Sequence, residues 1–187
     1  MYLHVATTRS THADRRDRAE QLSGRPAGEQ GELVMAEIRL SAHVDAPIDR
    51  VFELATDFKR YPEWNVAFVE VAEVLGPPDK VGTRITATMT LLDRKMQGWA
   101  EIEDFNRPRF VKLEGVSTDG GKICMEYLFK RIGLTTDIEF YSNYELPPGP
   151  FAGILDWVYV NRAAERDLRH SMENLKALVE AETPVLT

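Results

Sequence analysis

Two periodicities divide the chain. Along residues 83–92, Ile85, Ala87, Met89 and Leu91 fall on one face and Arg84, Thr86, Thr88 and Thr90 on the other. Alternation of this kind places one side of a strand on a core and the other in water. The same rhythm predicts strands over residues 37–44, 66–75, 96–105, 110–116, 122–131 and 134–146. Turn formers separate them: Gly76-Pro77-Pro78-Asp79, Asp93-Arg94-Lys95, Asn106-Arg107-Pro108, the run 117–121 ending in Gly120-Gly121, and Gly133. Connections this short join antiparallel neighbours, so the strands after residue 66 form a meander.

The period lengthens at the end of the chain. Pro147-Pro148-Gly149-Pro150 stops the last strand and can seed a first helical turn. Ile154, Val158, Leu168, Met172, Leu175 and Val179 then recur at three- and four-residue steps. The pattern predicts one helix over 149–181, about 45–50 Å long. Asn161 and Glu165 break the rule, because they project from the same apolar stripe. Between the first two strands the chain reads as two short helices. Asp45 serves as N-cap with Pro47 just inside, and Val51, Phe52 and Leu54 supply the apolar side. Residues 58–61 make a second short turn, ended by Pro62 and followed by Trp64.

Strand, two short helices, six strands and a long helix give an α+β fold. A seven-stranded antiparallel sheet curves strongly. The long helix lies across its concave side, and the short helices plug one end. A single helix leaves such a space incompletely filled, so the order of elements itself predicts a cavity.

The chain's 187 residues suit one domain, assigned to 36–182. Residues 1–35 form a polar tail, expected to be disordered and rich in Arg, Ser, Gly and Thr, and 183–187 form a short C-terminal tail. The net charge of -7 argues against nucleic acid and against a general anionic-membrane binder. No apolar run approaches the ~18–20 residues of a spanning helix. Cys124 is the one cysteine, so an internal disulfide is excluded and a cytoplasmic location is expected.

Four segments together resemble the helix-grip superfamily of START, Bet v 1 and polyketide cyclase/dehydrase-type proteins. They are the opening around Val44-Asp45-Ala46-Pro47, the run Asp57-Phe58-Lys59-Arg60-Tyr61-Pro62-Glu63-Trp64, the strand opening Val81-Gly82-Thr83-Arg84 with the later Asn106-Arg107-Pro108, and the final segment from Gly149-Pro150-Phe151 to Glu180. The resemblance covers about residues 36–182. It implies a helix-grip fold and a hydrophobic small-molecule ligand: a lipid, sterol, polyketide, plant hormone or quinone. In some members it implies cyclisation or dehydration. It carries no single catalytic residue set onto this chain.

Candidate residues follow from both lines of reasoning. Asn161 and Glu165 are polar on an apolar stripe, which costs about 1–3 kcal/mol per unpaired group. They either orient a ligand in the cavity or pair with a strand or loop at the domain edge. Met89, Tyr127, Phe129, Tyr144 and Met172 are candidate pocket walls or plain core. Trp64 is either at the pocket mouth or an anchor for the helix-to-strand corner. Cys124 lacks an ordered histidine partner for thiol catalysis. The chain shows no metal motif and no phosphate loop, so neither metal nor cofactor is expected. The primary expectation is a binding module, monomeric or homodimeric. An alternative is a cyclase/dehydratase in which Glu165 or a tyrosine moves protons. A third expectation, a quinone chaperone or partner-binding protein, requires an exposed apolar mouth near Trp64.

Overall fold

The computed structural model describes residues 34–91, 94–146 and 157–183. The alternating segments form seven strands: β1 (Val34–Val44), β2 (Phe68–Leu75), β3 (Arg84–Leu91), β4 (Arg94–Asn106), β5 (Phe110–Ser117), β6 (Lys122–Ile132) and β7 (Thr135–Leu146). They make one antiparallel sheet in the order β1-β7-β6-β5-β4-β3-β2. β1 begins three residues earlier than its alternation indicated, because its backbone pairs with the end of β7, Val34 opposite Leu146. β2 begins two residues later, after Asn65 has turned the chain.

β1 and β2 lie at opposite edges, so the segment between them must cross the sheet. It does so as α1 (Ile48–Thr56), one 3₁₀ turn (Phe58–Arg60) and α2 (Tyr61–Trp64). The cap of α1 differs from expectation. Pro47 occupies the N-cap position without a side-chain hydrogen bond. Asp45 is engaged elsewhere, its N–H donating to Glu180 Oε1 at 2.8 Å. Aromatic contacts seat these short helices. The Phe52 ring meets Phe105 at 5.3 Å and Phe129 at 5.1 Å, while Tyr61 meets Phe68 at 5.0 Å. Such pairs contribute about 0.5–1.5 kcal/mol each beyond burial.

α3 (Trp157–Glu182) has 26 residues and is about 39 Å long. Residues 149–156 of the expected helix lie outside the described residues, as do residues 1–33 of the tail. Met172, Leu175 and Val179 are buried as the stripe requires, joined by Val160, Ala163 and Ala164. No helix among the described residues is long and apolar enough to cross a membrane.

β4 and β5 approach closely at two glycines. Gly98 and Gly115 lie on the concave face, where neighbouring backbone comes very close. A Cβ at Gly115 would sit 2.6 Å from Trp99 O, and one at Gly98 would sit 2.7 Å from Val116 O. A register shift between Ile102 and Asp104 bends β4 locally. Gly115→Ala is therefore expected to lower stability by about 1–3 kcal/mol in urea unfolding, whereas Ala100→Gly, which adds no atoms, carries no such clash.

At the far end, Arg60 ties the short helices to the close of α3. Its guanidinium donates to Glu63 Oε2 and to Glu182 Oε1, both at 2.6 Å. Arg60's hydrogen bonds hold both carboxyls below their ordinary value of 4.5. A lowered carboxyl contributes stability above its unfolded value and loses it as pH falls through its folded value. The stability gap between wild type and Arg60→Met should thus be present at pH 7 and shrink as the pH falls below 4.5, as read by urea unfolding across that range.

Candidate functional site

The coil leaves open space between the concave face of the sheet and the middle of α3. Small residues make this space. Ala87 of β3, Gly98 and Ala100 of β4, and Ala164 of α3 line it, where larger side chains would have met across the gap. Met89, Met96 and Met125 supply adaptable thioether walls. The cavity volume is about 160 Å³. That matches the ~150 Å³ of an apolar void that accepts a benzene-sized guest, and falls below the ~300–1,000 Å³ of a pocket that encloses a drug-sized ligand.

Phe58 and Tyr61, both fully buried, close one end. The exposed Asp119 and Lys122, in and after the β5–β6 turn, mark the opening. Lys122 lies 3.5 Å from Glu145, which also lines the cavity. Asp167 reaches the wall from α3 and pairs with Arg166 at 3.0 Å. An enclosed ring or chain tip, with the rest of a longer molecule leaving through the opening, fits these dimensions.

Few polar groups face inward, and Asn65 is the one tied to both the corner and α3. It is 2% exposed and lies where α2 hands over to β2. Its Oδ1 accepts from the Ala67 N–H at 3.1 Å. The Ser171 hydroxyl of α3 lies 3.3 Å from the same oxygen and 2.8 Å from Asp167 O. Ser171 Oγ also accepts from the Val66 N–H at 3.1 Å. One turn on, Asn174 Nδ2 donates to Trp64 O. These bonds pin the helix to the corner beside the cavity. Ser142 of β7 adds a buried hydroxyl to the wall.

Burial pushes the phenols of Tyr61, Tyr127 and Tyr144 above their ordinary value of 10. At neutral pH they are uncharged hydroxyls. The Tyr61 and Tyr127 hydroxyls face one another without the geometry of a formed hydrogen bond. Cys124 sits apart on the outward face, in a shallow depression with Trp99 and Glu101. Burial also raises its thiol, which keeps it protonated and a poor nucleophile. Trp99 itself lies under the Arg84 guanidinium, 4.1 Å from the ring centre.

The residues singled out from the sequence separate into three groups. Met89 and Tyr144 line the cavity. Trp64, Tyr127, Phe129 and Met172 belong to the buried core around it. Trp64 is 1% exposed, so it anchors the corner; the exposed apolar side chains nearby are Val66 and Val69. Asn161 and Glu165 lie to the side of the cavity-lining positions Ala164, Asp167 and Leu168. Glu165 accepts a hydrogen bond from Arg169 at 2.7 Å, an i,i+4 pair. Asn161 Oδ1 is buried without a partner. Sequence reasoning missed Asn65, Ser142 and the small wall residues. An Asn directly after Tyr61-Pro62-Glu63-Trp64 was the available signal, since a polar residue at the end of an aromatic corner needs a partner.

Removing the Ser171 hydroxyl leaves the Val66 N–H without its acceptor. Ser171→Ala is expected to cost about 1–3 kcal/mol, read from chemical unfolding, and to raise amide exchange at Val66.

A family model described as polyketide cyclase / dehydrase and lipid transport matches residues 35–180. Comparison with curated protein sequences gives no match. Among solved structures, a protein of Thermus thermophilus is 21% identical, with a TM-score of 0.65 over 79% of this chain and 99% of that one. The ZhuI aromatase/cyclase of a Streptomyces species is 15% identical, with a TM-score of 0.65 over 81% of this chain and 97% of its own. A START superfamily protein of Mycobacterium smegmatis is 17% identical, with a TM-score of 0.61 over 79% of this chain and 99% of its own. At these identities the shared property is the fold.

Proposed function

The chain belongs to the polyketide cyclase / dehydrase and lipid transport family, and from that membership we propose that it binds a hydrophobic small molecule between its sheet and α3. The observation that carries this reading is the half-open apolar cavity, walled by Ala87, Gly98, Ala100 and Ala164 and by three methionines. Packed cores hold few voids of this size. The enclosed part of a guest exchanges water for apolar contact, which is the main source of affinity for such ligands. A lipid tail, a polyketide ring or a quinone-like ring all satisfy that requirement.

A cyclase-like activity is the second reading, and the ZhuI likeness motivates it. Cyclisation needs a positioned acid or base beside a folded chain. Tyr61 and Tyr144, held protonated by burial, would serve there as hydrogen-bond donors to a developing oxyanion. Binding comes first in either case, so it is the property to test.

Native mass spectrometry of the intact protein, followed by organic extraction, should release an apolar guest. Filling the space from the helix should then exclude it. Ala164→Leu keeps a good helix former in α3 and is expected to weaken guest binding at least about tenfold, with stability unchanged or raised because a cavity has been filled. A loss of about 1–3 kcal/mol would instead show that the space is already occupied by protein atoms, and the binding reading would fall.

A further inference from the structure

We propose that Asn65 is the group that selects the ligand, by donating a hydrogen bond from its side-chain amide to a carbonyl oxygen on an uncharged guest. This rests on the reading of the cavity as a binding site. The amide has only one sensible orientation. Oδ1 faces the Ala67 N–H, and a flip would set one donor against another. Ser171 Oγ, 3.3 Å from Oδ1, holds the same edge from α3. Nδ2 is therefore turned the other way, and among the described residues it makes no hydrogen bond. Asn65 is 2% exposed and lines the cavity, so the open space beside its amide is the cavity itself. A guest that covers this donor without accepting its hydrogen bond removes the water it would otherwise meet, which is unfavourable.

The charges around the cavity fix the kind of acceptor. Asp119 and Asp167 line it, while the Lys122–Glu145 pair also borders the outward depression of Cys124 and brings no free positive charge. A carboxylate guest would meet repulsion here, and a hydrocarbon would leave the amide unpaired. A ketone, quinone or ester carbonyl avoids both penalties. Asn65 is thus a discriminating residue, whereas the alanines and methionines supply affinity for any apolar body.

Three probes of one ring skeleton separate the contributions: tetralin, 1-tetralone and tetralin-1-carboxylate, titrated calorimetrically into the full chain at pH 8. The ketone is expected to bind about five- to tenfold tighter than the hydrocarbon, the gain of one hydrogen bond, with the carboxylate the weakest. Asn65→Asp keeps an oxygen for Ala67 and Ser171 but replaces the amide donor. It should abolish the ketone preference while leaving tetralin within about twofold. Equal affinity of wild type for tetralin and tetralone would overturn the role of Asn65 without touching the cavity reading, and this comparison stands even if the variant fails to fold. A ketone preference that survives in Asn65→Asp would overturn it as well. Failure of all three probes to bind, with no co-purifying guest, would sink the cavity reading and this inference together.

Discussion

A curved sheet around a single helix has more interior than the helix can occupy, and everything distinctive in this protein follows from how that surplus is handled. At the closed end the surplus is filled. Phe52, Phe58, Tyr61 and Trp64 from the crossing segment pack against Phe105, Phe129 and Tyr127 from the sheet. In the middle it is left open, because both walls retreat to alanine and glycine. The glycines where these strands come closest also withhold side chains that would have entered the space.

An open interior has to be framed by something rigid, and hydrogen bonds do that work here. Asn65, Ser171 and Asn174 bind the helix to the corner between α2 and β2 through backbone groups that would otherwise be orphaned. Arg60 clamps the crossing segment to the end of α3 through a pair of carboxylates. Apolar packing alone tolerates sliding, whereas directional bonds fix the helix relative to the sheet. The frame is polar, while most of the lining surface is apolar.

The order of elements was legible in the sequence, because period-two alternation broken by Gly, Pro and Asp reports strands and turns directly. Ile85 and Ala87 point inward as their alternation says. The site was much less legible. Gly98 and Gly115 matter because β4 and β5 pair in one register, and pairing across strands leaves no mark in local spacing. The helix stripe was read from its large apolar residues, which gave weight to Asn161 and Glu165. The line facing the cavity runs through Ala164, Asp167 and Leu168, whose small and polar members carry little hydrophobic signal. Asn65 was not singled out, because its contact with Ser171 lies more than a hundred positions away.

The sheet order also sets a timetable for synthesis. β2 to β7 pair with the strand just before or after them, through closures of a few residues that form quickly. β1 has no such neighbour. Its partner is β7, with Val34 opposite Leu146 and Val44 opposite Thr136. The first of these seven strands to be synthesised must therefore wait until nearly all the others have followed, and closing so long a loop is entropically slow. Through that interval β1, apolar on one face only, has no strand to pair with. The vulnerable species in this protein's life is a nascent chain with a finished meander and an unattached beginning, where chaperone capture and misassociation would concentrate.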